Sequence, residues 1–277
     1  MSAPAPLVRE VRTDHCTAEV LDEGALVLRW APAGHAPVLF AHPAVTVRSG
    51  TSPHAGVPVC WPWFGPGRRG GMTPSHGFVR TAVWELVSEE ERDGTTMLRH
   101  RVTSREATSE AWPHPYRLEL EARLGRTLEL RLTTTNTGAE PFVVEEALHA
   151  YLAVGDVRRV LLGGLDGSTF HDKVSGEDRV QEGDLVLTAE TDRVHRSAAD
   201  VTVTDPVLGR RLVVSTEGAA NRVVWNPWAE KGPGIADVGD EWPHFVCVEA
   251  ANVLDDVVTV APGESRSMTY RLTVEDL

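Results

Sequence analysis

Tyr116-Arg-Leu-Glu-Leu-Glu-Ala-Arg-Leu124-Gly-Arg-Thr127-Leu-Glu-Leu-Arg-Leu-Thr-Thr-Thr-Asn136 is the stretch that decides the architecture. Apolar residues fill alternate places in both halves, the spacing of a strand with one face turned inward. Gly125-Arg126 between them marks a tight reversal, so residues 116–124 and 127–136 read as an antiparallel hairpin. Similar alternation recurs at residues 25–30, 45–49, 96–103, 142–144, 185–188 and 268–274. Segments 201–204 and 211–215 form a second hairpin through the turn residues Asp205-Pro-Val-Leu-Gly209. Helix-length patterns are scarce, which predicts an all-β sandwich or barrel of antiparallel sheets rather than a βαβ arrangement. No linker, low-complexity block or fixed repeat interrupts the chain, so one domain over residues 1–277 is expected, with residues 1 to about 10 as a flexible tail.

Composition narrows the function. A 277-residue chain with 42% hydrophobic and 24% charged residues has the material for a sizeable core and is too apolar for a disordered protein. The net charge of −13 disfavours general binding to nucleic acid or anionic membranes. An anionic small substrate would therefore need a local basic pocket, for which Arg68, Arg69 and Arg80 are candidates. Cys16, Cys60 and Cys247 are odd in number and far apart, which predicts neither a disulfide framework nor a zinc ribbon. No stretch approaches the roughly 18 apolar residues of a membrane span, and the first residues lack a basic start followed by an apolar run. A cytoplasmic protein acting as a monomer, without nucleic-acid or membrane partners, is the expectation.

Three segments concentrate aromatics beside polar groups. They are Gly56-Val-Pro-Val-Cys-Trp-Pro-Trp-Phe-Gly-Pro66 with His76-Gly-Phe-Val-Arg80 and Trp84, then Val223-Val-Trp-Asn-Pro-Trp228, and residues 237–249. Flat indole faces such as those of Trp63 and Trp225 cover the C–H faces of a sugar ring, while His and Arg donate to hydroxyls or a phosphate. A lone tryptophan is more often a core residue; the joint placement beside His, Arg, Asp and Glu favours a pocket. Gly65-Pro-Gly67-Arg-Arg-Gly70 matches GxGxxG only formally, because Pro66 follows the first glycine and Thr73-Pro74 stands where a helix should begin. Serine-hydrolase, nucleotide-hydrolase and zincin motifs are missing. Glu249, in the apolar run Phe245-Val-Cys-Val-Glu-Ala250, shares a strand face with Phe245 and Cys247. A carboxylate enclosed there needs donors, or its pKa climbs toward a value useful for proton transfer; a structural ion pair with an arginine is the plainer alternative. His149, in Glu145-Glu-Ala-Leu-His-Ala-Tyr151, taken alone reads as a satisfied sheet residue.

Taken in order, Gly56–Pro66, His76–Arg80 with Trp84, Leu148-His-Ala-Tyr151, Gly164-Leu-Asp-Gly167 with Asp172-Lys173, Val224-Trp-Asn-Pro-Trp228 and Val246-Cys-Val-Glu-Ala250 make the chain resemble the glucose-6-phosphate 1-epimerases of the aldose 1-epimerase superfamily. The resemblance spans about residues 50 to 250. It implies a galactose-mutarotase-like β-supersandwich with the sugar in a cleft on one sheet face, and no cofactor or metal. It also implies that His149 and Glu249 are the catalytic pair, that His76 and Arg80 line the sugar and phosphate end, and that Asp237 is a pocket aspartate. Where the family commonly has Arg-Gly-Gly, this chain has His54-Ala-Gly56, leaving Arg80, with Arg68, Arg69 or a charged His54, to meet a phosphate.

The chemistry so implied is anomer interconversion by ring opening and reclosure, with Glu249 as base at the C1 hydroxyl and a protonated His149 as acid at the ring oxygen. Glu145 or Glu146 would favour the charged imidazole. Two other readings stay open to the sequence: a mutarotase for a non-phosphorylated aldose, separated by its substrate preference, and a non-catalytic carbohydrate-binding protein, which needs no His/Glu pair.

Overall fold

The computed structural model describes residues 6–277. Strands account for 48% of the structure and helix for 7%, and every strand-to-strand ladder among the described residues is antiparallel, as the alternation predicts. The Tyr116–Leu124 strand meets Leu128–Asn136 in full register, from Leu124 opposite Leu128 to Tyr116 opposite Asn136. Leu118, Leu120, Ala122 and Leu124 point inward, with Leu128, Leu130 and Leu132 beside them, while Glu119, Glu121 and Arg123 point away. Burying each leucine stabilises the fold by about 1.5–3 kcal/mol relative to exposure, which is why the register does not slip.

This hairpin is part of an eight-stranded sheet ordered Leu161–Gly163, Val201–Asp205, Arg210–Glu217, Ser265–Asp276, Leu128–Asn136, Tyr116–Leu124, Thr95–Thr103, Glu85–Arg92. A second eight-stranded sheet runs Glu177–Val180, Thr169–Asp172, Thr191–Arg196, Asn221–Asn226, Phe245–Asn252, Glu146–Leu148, Val59–Cys60, with Tyr151–Ala153 also pairing to Phe245–Asn252. The two share one apolar core, in which Leu130, Leu132 and Leu272 of the first meet Leu148, Val224, Val246 and Val248 of the second. Tyr270 crosses that core to donate its hydroxyl to the Val248 carbonyl at 3.2 Å. A three-stranded sheet, Val8–Arg12, Cys16–Leu21 and Val27–Pro32, completes one end.

Three sequence expectations change. Residues 45–49 alternate but form no strand: they lie in an irregular segment, mostly exposed, with no neighbouring chain to pair with. In residues 185–188 only Leu185 bridges, to Leu162, because the segment turns away before a ladder extends. Within the expected tail, residues 1–5 lie outside the described residues, whereas Val8, Arg9 and Glu10 pair with Leu21, Val20 and Glu19 as part of a strand. All three cysteines are free and buried. No helix of the described residues is long and apolar enough to cross a membrane.

Candidate active site

The Phe245–Asn252 strand is buried along its whole length, because its even positions face the core while loops cover its other face. Val246, Val248 and Ala250 belong to the core; Phe245 and Cys247 pack with Tyr151 and Val238 on the covered face. Glu249 shares that second face, as alternation requires.

Register then brings the partners in. Leu148 stands opposite Ala250 and Tyr151 opposite Cys247, so the strand edge broken between Leu148 and Tyr151 sets His149 across from Glu249. On the other side Trp225 stands opposite Cys247, and Asp192 opposite Trp225. The backbone N–H of Lys173 donates to the Asp192 carbonyl at 2.8 Å, extending the same rung by one strand. Directly paired residues in antiparallel strands project to one face. Lys173, Asp192, Trp225, Cys247 and Tyr151 thus form one row, with the His149–Glu249 pair beside it.

All of these groups but Cys247 line a cavity of about 270 Å³, together with His54, Phe64, Ser75, His76 and Arg80. His149 Nε2 lies 3.4 Å from Glu249 Oε1. That approach lacks hydrogen-bond alignment, so both Glu249 oxygens and His149 Nδ1 are buried without a hydrogen-bond partner. The His149 ring stacks on Tyr151, with centroids 4.8 Å apart and planes 14° from parallel, and meets His76 edge-on at 5.6 Å. Lys173 Nζ sits 2.9 Å from Asp192 Oδ2 and 5.3 Å above the Phe64 ring. Arg80 lines the cavity with no carboxylate partner among the described residues.

Burial dominates the protonation of the pair. It pushes the Glu249 carboxyl well above its usual range, reinforced by the Asp192 charge and opposed by Lys173. It pulls His149 well below the usual imidazole range, helped by His76, His54 and Arg80. His76 falls to about 3, again chiefly through burial and then through Arg80 and Lys173. Burial thus weighs against the ionised form of each member of the pair. Glu145 and Glu146 do not supply the charge stabilisation expected for His149. Glu145 instead accepts backbone N–H bonds from Phe64, Arg68 and Leu254, and Glu146 faces the core with Thr134 and Asn252.

Of the residues singled out in the sequence, His149, Glu249, His76, Arg80 and Trp225 converge on the cavity. Trp63 does not: it is 3% exposed, donates to the Pro74 carbonyl and packs on Phe78, while its neighbour Phe64 takes the wall position. Arg68 is drawn outward to Asp255 at 3.4 Å, and Arg69 is exposed on the same turn. Asp237 stands behind the wall, gripping His54. Lys173, Asp192 and Tyr151 were missed as site residues. Tyr151 and Lys173 stood in motifs that carry the resemblance but were given no role, and for Asp192 the only signal was strand alternation, which does not say which strands are neighbours. No group of His, Cys, Asp or Glu suited to hold a metal ion occurs among the described residues.

Known proteins are similar to this chain in sequence and fold. The aldose 1-epimerase family profile matches residues 8–273. A relative from Escherichia coli (strain K12), named "Putative glucose-6-phosphate 1-epimerase", is 36% identical over 233 residues, 83% of this chain and 77% of its own. One of the same name from Cenchrus ciliaris is 29% identical over 266 residues, 90% of this chain and 79% of its own. The crystal structure of a "putative mutarotase (YeaD)" from Salmonella typhimurium has a TM-score of 0.89 at 30% identity, covering 99% of this chain and 92% of that one. A galactose mutarotase-like protein from Clostridium acetobutylicum shares the fold, with a TM-score of 0.77 at 13% identity and 99% of both chains covered. The expected galactose-mutarotase-like architecture is thus borne out, and with a family match running almost end to end the chain belongs to the aldose 1-epimerase family and is an isomerase.

Proposed function

We propose that the protein interconverts the α and β anomers of a hexose 6-phosphate, D-glucose 6-phosphate first among them. The observation that carries this reading is a buried carboxyl and imidazole, 3.4 Å apart, in a cavity that also holds Arg80 and Lys173. Relatives named for glucose 6-phosphate support the substrate.

In the ring-opening step Glu249 takes the proton from the C1 hydroxyl, the C1–O5 bond breaks as C1=O1 forms, and His149 gives a proton to O5. After rotation about C1–C2, His149 takes the O5 proton back, O5 closes on the other face of C1, and Glu249 returns its proton to O1. Burial by itself favours the proton on Glu249 over His149, since it raises the carboxyl and lowers the imidazole. Both forms of the pair contain one proton, so substrate need only move it across. Sugar hydroxyls supply donors that the carboxylate lacks, and a phosphate dianion favours an imidazolium. Both terms push the proton toward His149 as the ligand seats. Arg80, free of a carboxylate, and Lys173 meet the phosphate. The free cysteines support a reducing, cytoplasmic setting.

NMR exchange spectroscopy of equilibrated glucose 6-phosphate, with and without protein, tests the proposal. Faster exchange between the anomeric C1–H signals is expected, larger for glucose 6-phosphate than for glucose. An unchanged rate for both sugars defeats it, and a preference for glucose points to the neutral aldose instead.

A further inference from the structure

His54 is locked into the cavity wall by a residue outside it. Its backbone N–H donates to Asp237 Oδ2 at 2.7 Å, and its ring Nδ1 lies 2.7 Å from Asp237 Oδ1. The contact joins positions 183 apart in the chain. Tyr151 meets the same ring edge-on at 6.2 Å, and Trp225 lies 6.3 Å away. Asp237 is not part of the cavity lining, whereas His54 is. The ring edge opposite Nδ1 therefore carries Nε2 toward the ligand.

A carboxylate accepts hydrogen bonds and donates none. Burial alone would raise the Asp237 carboxyl, but the bonds from the His54 ring and backbone outweigh it and hold the group below its usual range. Nδ1 is thus the nitrogen that carries the hydrogen toward Asp237, and in the neutral imidazole that tautomer leaves a lone pair at Nε2. Such an acceptor complements the charged groups of a cavity that also carries the Ser75 and Tyr151 hydroxyls and the His76 ring. Arg80 and Lys173 are donors, Asp192 is tied to Lys173, and His149 with Glu249 handles the reacting atoms.

We propose, resting on the sugar-phosphate reading above, that His54 determines sugar specificity by accepting a hydrogen bond from one non-anomeric hydroxyl of the hexose, with Asp237 as the residue that positions it. His54 then belongs to the sugar end of the site and Arg80 with Lys173 to the phosphate end, since a phosphate dianion has no hydrogen to give. Asp237 acts only through the ring it orients.

The test uses the full-length protein with glucose 6-phosphate and its 2-, 3- and 4-deoxyfluoro analogues, because fluorine cannot donate a hydrogen bond. Anomer exchange gives kcat and KM, and 19F line broadening gives binding. In the wild type one analogue should bind about five- to tenfold more weakly than the parent, the loss of one uncharged hydrogen bond. His54→Ala should lose the same factor on the parent and nothing more on that analogue, chiefly in KM. His54→Gln, whose amide oxygen can accept, should recover part of the loss. Asp237→Asn, which frees the ring to take either tautomer, should fall between wild type and His54→Ala. The proposal is overturned if every fluorine penalty survives His54→Ala unchanged. It is equally overturned if His54→Ala harms glucose 6-phosphate more than glucose, which would make His54 a phosphate ligand. A wild type that binds the analogues yet never exchanges anomers would instead defeat the catalytic reading, while the 19F comparison still decides the role of His54.

Discussion

Glu146 and Glu249 lie on adjacent strands of one sheet, both buried, and differ in every partner they have. Glu146 faces the core, where Asn252 Nδ2 donates to Oε1 at 3.0 Å and the Thr134 hydroxyl to Oε2 at 3.3 Å. Glu249 faces the cavity, where neither oxygen has a hydrogen-bond partner and the nearest group is an imidazole out of alignment. Burial raises both carboxyls, Glu146 to about 7 because its donors oppose the effect, Glu249 well beyond its ordinary range with Asp192 adding to it. Leaving a buried polar group unpaired costs stability. On the proposed function, the satisfied carboxyl is structural and the unsatisfied one beside the cavity is held for a ligand.

The sharpest way to break this contrast is Glu249→Gln. Removing the base should lower anomer exchange by about 10²- to 10⁴-fold. Folding should be retained, because no hydrogen bond of Glu249 is lost. NMR exchange and a thermal melt read the two effects, and near wild-type exchange in folded protein would return Glu249 to the structural class with Glu146.

Glu146→Gln should do the reverse, sparing exchange and changing the pH dependence of stability. Because the folded carboxyl sits near 7 against an ordinary 4.5, the native state holds its proton more tightly than the unfolded chain. Stability from this group is fully present below pH 4.5 and is lost as pH rises through 7. The glutamine variant, which can keep partners on Thr134 and Asn252, escapes that loss. It should match wild type near pH 4.5 and exceed it by up to about 3 kcal/mol at pH 8, as read from urea titrations. Equal stability of the two proteins at both pH values would place the Glu146 carboxyl in its ordinary range.

Arg80→Ala tests the far end of the same cavity. Loss of a charge-assisted contact should cut kcat/KM for the phosphorylated sugar by roughly 10- to 100-fold while leaving glucose nearly unaffected. An equal loss for both sugars would mean that Arg80 reads the ring.

What was legible follows from local pattern. The 116–136 hairpin declared itself because alternation and a turn lie within a single stretch of chain. Glu249 stood out because a carboxylate in an apolar strand is costly wherever the fold places it. Arg80 was a candidate from the need for a local basic pocket and His149 entered through resemblance, and the fold brings both to the cavity. Trp63 misled because it shares its composition with a sugar platform, while packing against Phe78 put it in the core and left Phe64 at the wall. Arg68 misled for a related reason: the turn that carries it is anchored by Glu145 from inside, and its side chain reaches Asp255 outside.

By itself the sequence determined an all-antiparallel β protein with a carboxylate in an apolar strand, because strand periodicity and the cost of burying charge act within a few residues of the chain. The tertiary structure alone decided that Lys173 and Asp192 share a rung with Trp225, that Asp237 grips His54, and that burial weighs against charge on both Glu249 and His149. Those outcomes depend on strand order, register and burial, which arise only when distant segments pack together.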